Sequence, residues 1–230
     1  MASLTLHFED VWVGLPLMAK GFLFTVLLAA VSFSGALLFG TMLGVLREEK
    51  KGWPGRAAGL YIEFLRGIPL ILFLLFIHYG LMPTVFGHSD FLGSSLLAFF
   101  LFESAYVGEI IRGGLRSVTR SERESAKSLG LTETQQLWHV ILPLAFQRMM
   151  PALAGQLVSL IKDTSLASIV GVIELTRAGE IIYEQRFHDF EILAFQAVVY
   201  FLVCYSIARL SRCFEPAEHQ AESILSQTLS

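Results

Sequence analysis

From Gly21 to Leu46 the chain runs about 26 residues without a charged side chain, between Lys20 and Arg47. Few features narrow the possible folds as much. An α-helix rises 1.5 Å per residue, so about 20 residues already cross the ~30 Å hydrocarbon core of a bilayer. A soluble helix of this length would carry a polar face. The block is therefore expected to span a membrane with some tilt. Four more apolar blocks follow, from about Tyr61 to Met82, Phe91 to Ile111, Met149 to Ile161 and Ile192 to Leu210. Lipid as the solvent also explains why only 16% of the residues are charged, against about a quarter in soluble domains.

Lys and Arg orient the spans, because cytoplasmic loops carry the excess. Arg47, Lys50, Lys51 and Arg56 follow span one; Arg112, Arg116, Arg120, Arg123, Lys127 and Arg148 lie between spans three and four; Arg209 and Arg212 follow span five. The segment Pro83 to Asp90 has no basic residue, and Asp163 to Glu191 has only Arg177 and Arg186. The expected arrangement has the N-terminus outside and the central loop and C-terminus in the cytoplasm. The start, MASLTLHFEDVWVGLP, lacks the basic region of a cleaved signal, so the first block is expected to stay as a span. The expected divisions are an extracytoplasmic segment 1–20, a membrane domain 21–212 and a polar tail 213–230. A net charge of −3 argues against a nucleic-acid partner. Cys204 and Cys213 have no metal or disulfide spacing and read as buried thiols.

The central loop, about 117–145, is too polar for lipid and too periodic for a linker. Two short helices fit it. Ser121 serves as an N-cap, with Glu122 and Glu124 in the first turn, where acids favour the helix dipole. Gly130 closes this helix in a left-handed conformation, Thr132 or Thr134 caps the next, and Pro143 interrupts it before span four. An amphipathic hairpin resting on headgroups is the competing reading of the same residues.

The spacing Glu124-Ser125-Ala126, three residues, Gly130, nine residues, then Val140-Ile141-Leu142-Pro143 resembles the EAA loop of ATP-binding-cassette permeases. Phe64-Leu65-Arg66-Gly67-Ile68-Pro69, Ala105-Tyr106 with Glu109-Ile110 and Arg112-Gly113-Gly114, and Lys162-Asp163-Thr164-Ser165-Leu166 resemble further segments of the polar amino-acid branch. The likeness runs from about residue 20 to 212. It departs at Ser121-Glu122 in place of Gly-Gln, at Ser125 in place of an alanine, and at Phe73 in place of a glutamine, which leaves detailed substrate contacts open.

The resemblance implies an all-α membrane protein of about five spans with a two-helix coupling loop, the type I importer permease fold. It implies that Glu124, Ser125, Ala126, Gly130, Leu142 and Pro143 couple to a separate cytoplasmic ATPase, which would bind ATP and Mg. It further implies a second permease chain, identical or related, an extracytoplasmic solute-binding protein, and a bacterial inner-membrane location. The chain has no G-x-x-x-x-G-K-[ST] phosphate cradle of its own and no expected cofactor.

Ionisable groups within spans are functional candidates. Glu103 and Tyr106, with Asp163, Thr164 and Ser165, are the candidate substrate residues. An amino acid needs an anion for its ammonium group and donors for its carboxylate. Glu109 has Arg112 at i+3 as a ready structural partner, and His78 reads as core beside Tyr79. The run Phe102-Glu103-Ser104-Ala105-Tyr106 resembles the permease branch associated with glutamate and aspartate, which implies one of these as the favoured substrate; a basic amino acid, or ion-coupled transport, is the alternative. Labels attached to cysteines introduced at Lys127 and Gly87 are expected to react from opposite faces of sealed cells. Labelling of both from outside would overturn the five-span orientation.

Overall fold

The computed structural model describes residues 9–49, 52–186 and 189–211, all of its regular structure being helical. The expected tail 213–230, Cys213 and the first eight residues lie outside the described residues. Helix α1 is Glu9–Glu49, α2 Gly52–Arg66, α3 Leu70–Leu75, α4 Met82–Phe86 and α5 Phe91–Ser117. They are followed by α6 Arg120–Ser128, α7 Glu133–Gln136, α8 Leu142–Asp163, α9 Leu175–Arg186 and α10 Asp189–Ser211. Among the described residues, four stretches are long and apolar enough to cross a membrane, or five if the broken pair Gly52–Arg66 and Leu70–Phe86 counts as one.

Three boundaries differ from the sequence reading. Helix α1 starts at Glu9, well ahead of the uncharged block, because Val11 and Met18 pack into a core with Leu175, Ala178, Ile182 and Ile192. The second span is broken at Gly67-Ile68-Pro69. Proline disfavours helical backbone in the residue before it, and Pro69 itself is extended at φ −66°, ψ 135°. The fourth is one helical stretch, Glu133–Val170, so Pro143 does not interrupt it.

How the helix passes Pro143 is visible just before it. Leu137–Ile141 is wound as a π turn, and Phe76–Leu81 is another, two residues ahead of Pro83. A proline cannot bond the carbonyl four residues back and crowds it. Those carbonyls belong to His139 and Tyr79, both inside the widened turns. Proline alone is not sufficient, since Pro16 and Pro151 sit inside α1 and α8 without such a turn. Thr84 also donates to the Gly80 carbonyl at 2.6 Å.

The chain forms two compact units. One takes the described parts of 1–35, 68–103 and 157–206; the other takes 36–67, 104–156 and 207–211. In the first, the core named above joins α1, α9 and α10, and Phe73 packs on Phe102 with ring centroids 6.2 Å apart. His78 is buried, as expected, but its hydrogen-bond partner is Ser94 at 2.8 Å; Tyr79 meets it only ring edge to ring.

In the second unit, Ala36, Gly40 and Gly44 form a small-residue stripe on α1, the pattern that lets membrane helices approach closely. A Cβ on Gly40 would stand 2.8 Å from the Ser104 carbonyl and the Val107 side chain, and one on Gly44 2.5 Å from the Gly108 carbonyl. Only glycine allows this contact with α5. Gly44→Leu is expected to lower unfolding stability in detergent by about 1–3 kcal/mol, as overpacking does. Met42→Leu, at an exposed position, serves as the control. Equal stability of the two variants would show that α1 and α5 do not depend on this contact.

Candidate functional site

The central loop is a helix pair with both ends of its turn chemically fixed. Thr119, not Ser121, is the N-cap of α6. Its hydroxyl accepts from the Glu122 N–H at 3.3 Å, while the Glu122 carboxylate accepts from the Thr119 N–H at 2.8 Å. Thr132 and Gln135 repeat this reciprocal arrangement at α7, at 3.3 and 2.9 Å. Each capping box satisfies amides that a helix start would otherwise leave open. Between them Gly130 adopts φ +76°, the left-handed conformation expected of it.

The pair is tied to its neighbours through charge. Arg148 of α8 donates to Glu122 at 2.6 and 3.1 Å and to the Ser117 carbonyl at 2.6 Å. Arg123 donates to the Leu115 carbonyl at 3.0 Å, taking up the open end of α5. The Arg148 guanidinium and the Thr119 amide together hold the Glu122 carboxyl well down, at about 2. Glu124 makes only an exposed pair with Arg120 at 2.6 Å, of little energetic weight. Ser125 is exposed, Ala126 is buried, Leu142 is half-buried, and Pro143 is exposed. Leu129, next to Gly130, and Trp138, in the π turn Leu137–Ile141, are 78% and 64% exposed. The sequence reading missed Arg148 as the anchor, although an arginine preceding an apolar block is the signal that offers it.

At the ends of α1, α2 and α5, Glu109 accepts from Arg112 and from Arg47 at 2.8 Å, with Arg66 at 3.7 Å. The expected Glu109–Arg112 pair therefore forms, within a larger cluster. Arg66 also stands over the Tyr106 ring, 5.5 Å from its centre. Glu103 is fully buried in α5.

The Lys162–Ser165 segment lies on continuous helical winding. Helix α8 runs to Asp163 and then tightens into a 3-10 helix, Thr164–Val170, which ends at Gly171 with φ +106°. Thr164 is buried and its hydroxyl is used on the Ile161 carbonyl at 2.7 Å. Lys162 is exposed; Asp163 and Ser165 are half-buried. Adjacent residues on a helix do not face each other, and neither Lys162 nor Asp163 makes an ion pair with a described residue. Cys204 is half-buried and free rather than fully buried.

One buried acid went unmarked in the sequence. Glu174 accepts from the Thr176 and Arg177 amides at 2.8 and 2.9 Å, from the Tyr200 hydroxyl at 3.0 Å and from Thr25 at 3.4 Å. It joins α1, α9 and α10, and burial pushes its carboxyl up from the usual range. The hint in the sequence was an acid just before Leu175-Thr176, at the first turn of an amphipathic helix.

Residues 36–219 match the family described as binding-protein-dependent transport system inner membrane component. The chain belongs to that family. The permease is 35% identical over 198 residues to the probable glutamine ABC transporter permease protein GlnP of Bacillus subtilis strain 168, covering 85% of this chain and 90% of that one. It is 33% identical over 203 residues to the glutamate/aspartate import permease protein GltK of Escherichia coli O6:H1, covering 85% and 91%. Its fold matches a chain in the crystal structure of an amino acid ABC transporter with histidines, at TM-score 0.85 and 30% identity, over 92% of this chain and 99% of that one. The fold is that of type I ABC importer permeases, and the permease is a multi-pass membrane protein.

Glu122 with its depressed carboxyl stabilises the folded loop above its unperturbed value near 4.5, and that stability is lost as pH falls toward about 2. Amide protection in α6, measured against the intrinsic exchange rate at each pH, is expected to fall across this window in the native protein. In Glu122→Gln, which can keep the cap but not the charge, protection is expected to be lower than native at neutral pH and not to change across this window. A protected, pH-independent α6 in the native protein would show that the Arg148 contact does not hold the loop.

Proposed function

We propose that this permease is the transmembrane subunit of an ATP-driven importer for polar amino acids, worked by a separate cytoplasmic ATPase. The carrying observation is the doubly capped helix pair, which presents Leu129 and Trp138 to solvent on a frame fixed by Glu122–Arg148 and Arg123. Two large apolar side chains on so rigid a mount suit a protein partner better than water. Force applied to the loop has two charged routes into the spans, through Arg148 to α8 and through Arg123 to α5.

On this reading Glu124, Ser125, Ala126, Gly130, Leu142 and Pro143 form the coupling surface. Glu103, Tyr106, Asp163, Thr164 and Ser165 remain the proposed substrate residues, with a second permease chain and an extracytoplasmic binding protein completing the assembly. The ATPase would supply ATP and Mg chemistry, and the loop would face the cytoplasm. Relatives named for glutamine and for glutamate/aspartate support a substrate of that group, with glutamate or aspartate still favoured.

Gly130 offers a clean test, because a Cβ there would meet nothing within 4 Å. Gly130→Asp costs the fold only the left-handed backbone, roughly 1–2 kcal/mol, while placing a charge where a partner would sit. The variant is expected to insert normally yet lose most substrate-stimulated ATP hydrolysis and uptake in the reconstituted complex. Native hydrolysis in the variant would refute the coupling role. Uptake of labelled glutamate, glutamine and arginine by the parent assigns the substrate, and arginine alone would overturn the preference.

A further inference from the structure

The cluster around Glu109 borders a cleft of about 560 Å³ whose lining includes Arg47, Arg56, Arg112 and Arg116, with Gly59 and Glu63. Most of these charges are already matched. Arg47 bonds Glu63 at 2.5 Å and Glu109 at 2.8 Å, Arg112 bonds Glu109, and Arg116 bonds Glu48 at 2.5 Å. Counting Arg66, five arginines face three acids, so two positive charges are left over. Arg56 is exposed and makes no ion pair with a described residue.

Two further observations say what kind of anion fits. The cleft lies at the last turns of α1 and α5, which carry Arg47 and Arg116, where spanning helices leave the hydrocarbon. Beside it, α2 exposes Trp53, Leu60 and Phe64, at 79%, 71% and 61%, spaced so that all three fall on one side of the helix. Tryptophan favours the headgroup level, and the guanidinium fork matches phosphate oxygens in pairs. A small soluble anion would use the arginines and leave the apolar stripe bare. A lipid uses both.

We propose that this cleft binds the phosphate of an anionic phospholipid, with acyl chains laid along the Trp53, Leu60 and Phe64 stripe. Binding goes beyond the transport reading and is measured without transport. The intact complex, in phosphatidylcholine nanodiscs titrated with phosphatidylglycerol, is examined by native mass spectrometry for retained lipid. Phosphatidylglycerol is expected to be held at least about tenfold over phosphatidylcholine. Arg56→Gln is expected to weaken that hold about fivefold, one interfacial arginine's worth. Leu60→Gln is expected to weaken it too, without changing the binding of glycerophosphoglycerol. Equal retention of the two lipids, or an unchanged preference in Arg56→Gln, would sink the proposal. Displacement of the lipid by glycerophosphoglycerol or inorganic phosphate at equal concentration would reassign the cleft to a soluble anion and overturn it as well.

Discussion

One carboxylate organises the second unit. Glu109 accepts from Arg47 on α1 and Arg112 on α5, with Arg66 at the end of α2 close by, so three helix ends converge on a single group. Half-buried charges of this kind are costly unless their oxygens are fully engaged, and each added arginine offsets the desolvation of the acid. The acid also holds the glycine contact in place: Arg47 follows Gly44 by less than one helical turn, so the ion pair keeps the small-residue stripe seated on α5. Packing and charge support one another here, where neither alone has the reach.

How much of this was legible depends on whether the signal was local. The spans, the left-handed Gly130 and the Glu109–Arg112 pair rest on residues within a turn or two of each other, and all were readable. The Thr119 cap was missed by two positions, because Ser121 also precedes an acid and nothing in the spacing separates two hydroxyls so close. Arg148, Arg47 and Glu174 carried only faint signals as anchors, for a different reason. The partners that make them anchors, Glu122, Glu109, and Thr25 with Tyr200, lie far along the chain, and a long-range pair leaves no periodicity. Gly40 and Gly44 did leave a local trace, which the long uncharged block around them obscured.

The prolines show the limit of treating a residue as a rule. Pro143 reads as a break in any soluble helix. Here the helix passes the proline through a wider turn, Leu137–Ile141, which takes up the crowding and lets the loop run on into the span. Pro69 does end a helix, because Gly67 and Ile68 before it leave helical backbone, with the Gly67 amide bonded to the Phe64 carbonyl at 3.1 Å. The same residue type thus gives a continuous rod or a stop according to its neighbours.

The 3-10 winding of Thr164–Val170 has a consequence for length. Seven residues rise about 14 Å at ~2.0 Å each in this form and about 10.5 Å at 1.5 Å each in an α-helix. The segment is therefore stretched by about 3.5 Å relative to its alternative winding, with amide–carbonyl bonding available in both forms. Gly171, at φ +106°, marks where the drawn-out thread is tied off. Rewinding would shorten the span from within, as a coil spring takes up slack, and leave no bare backbone facing oil.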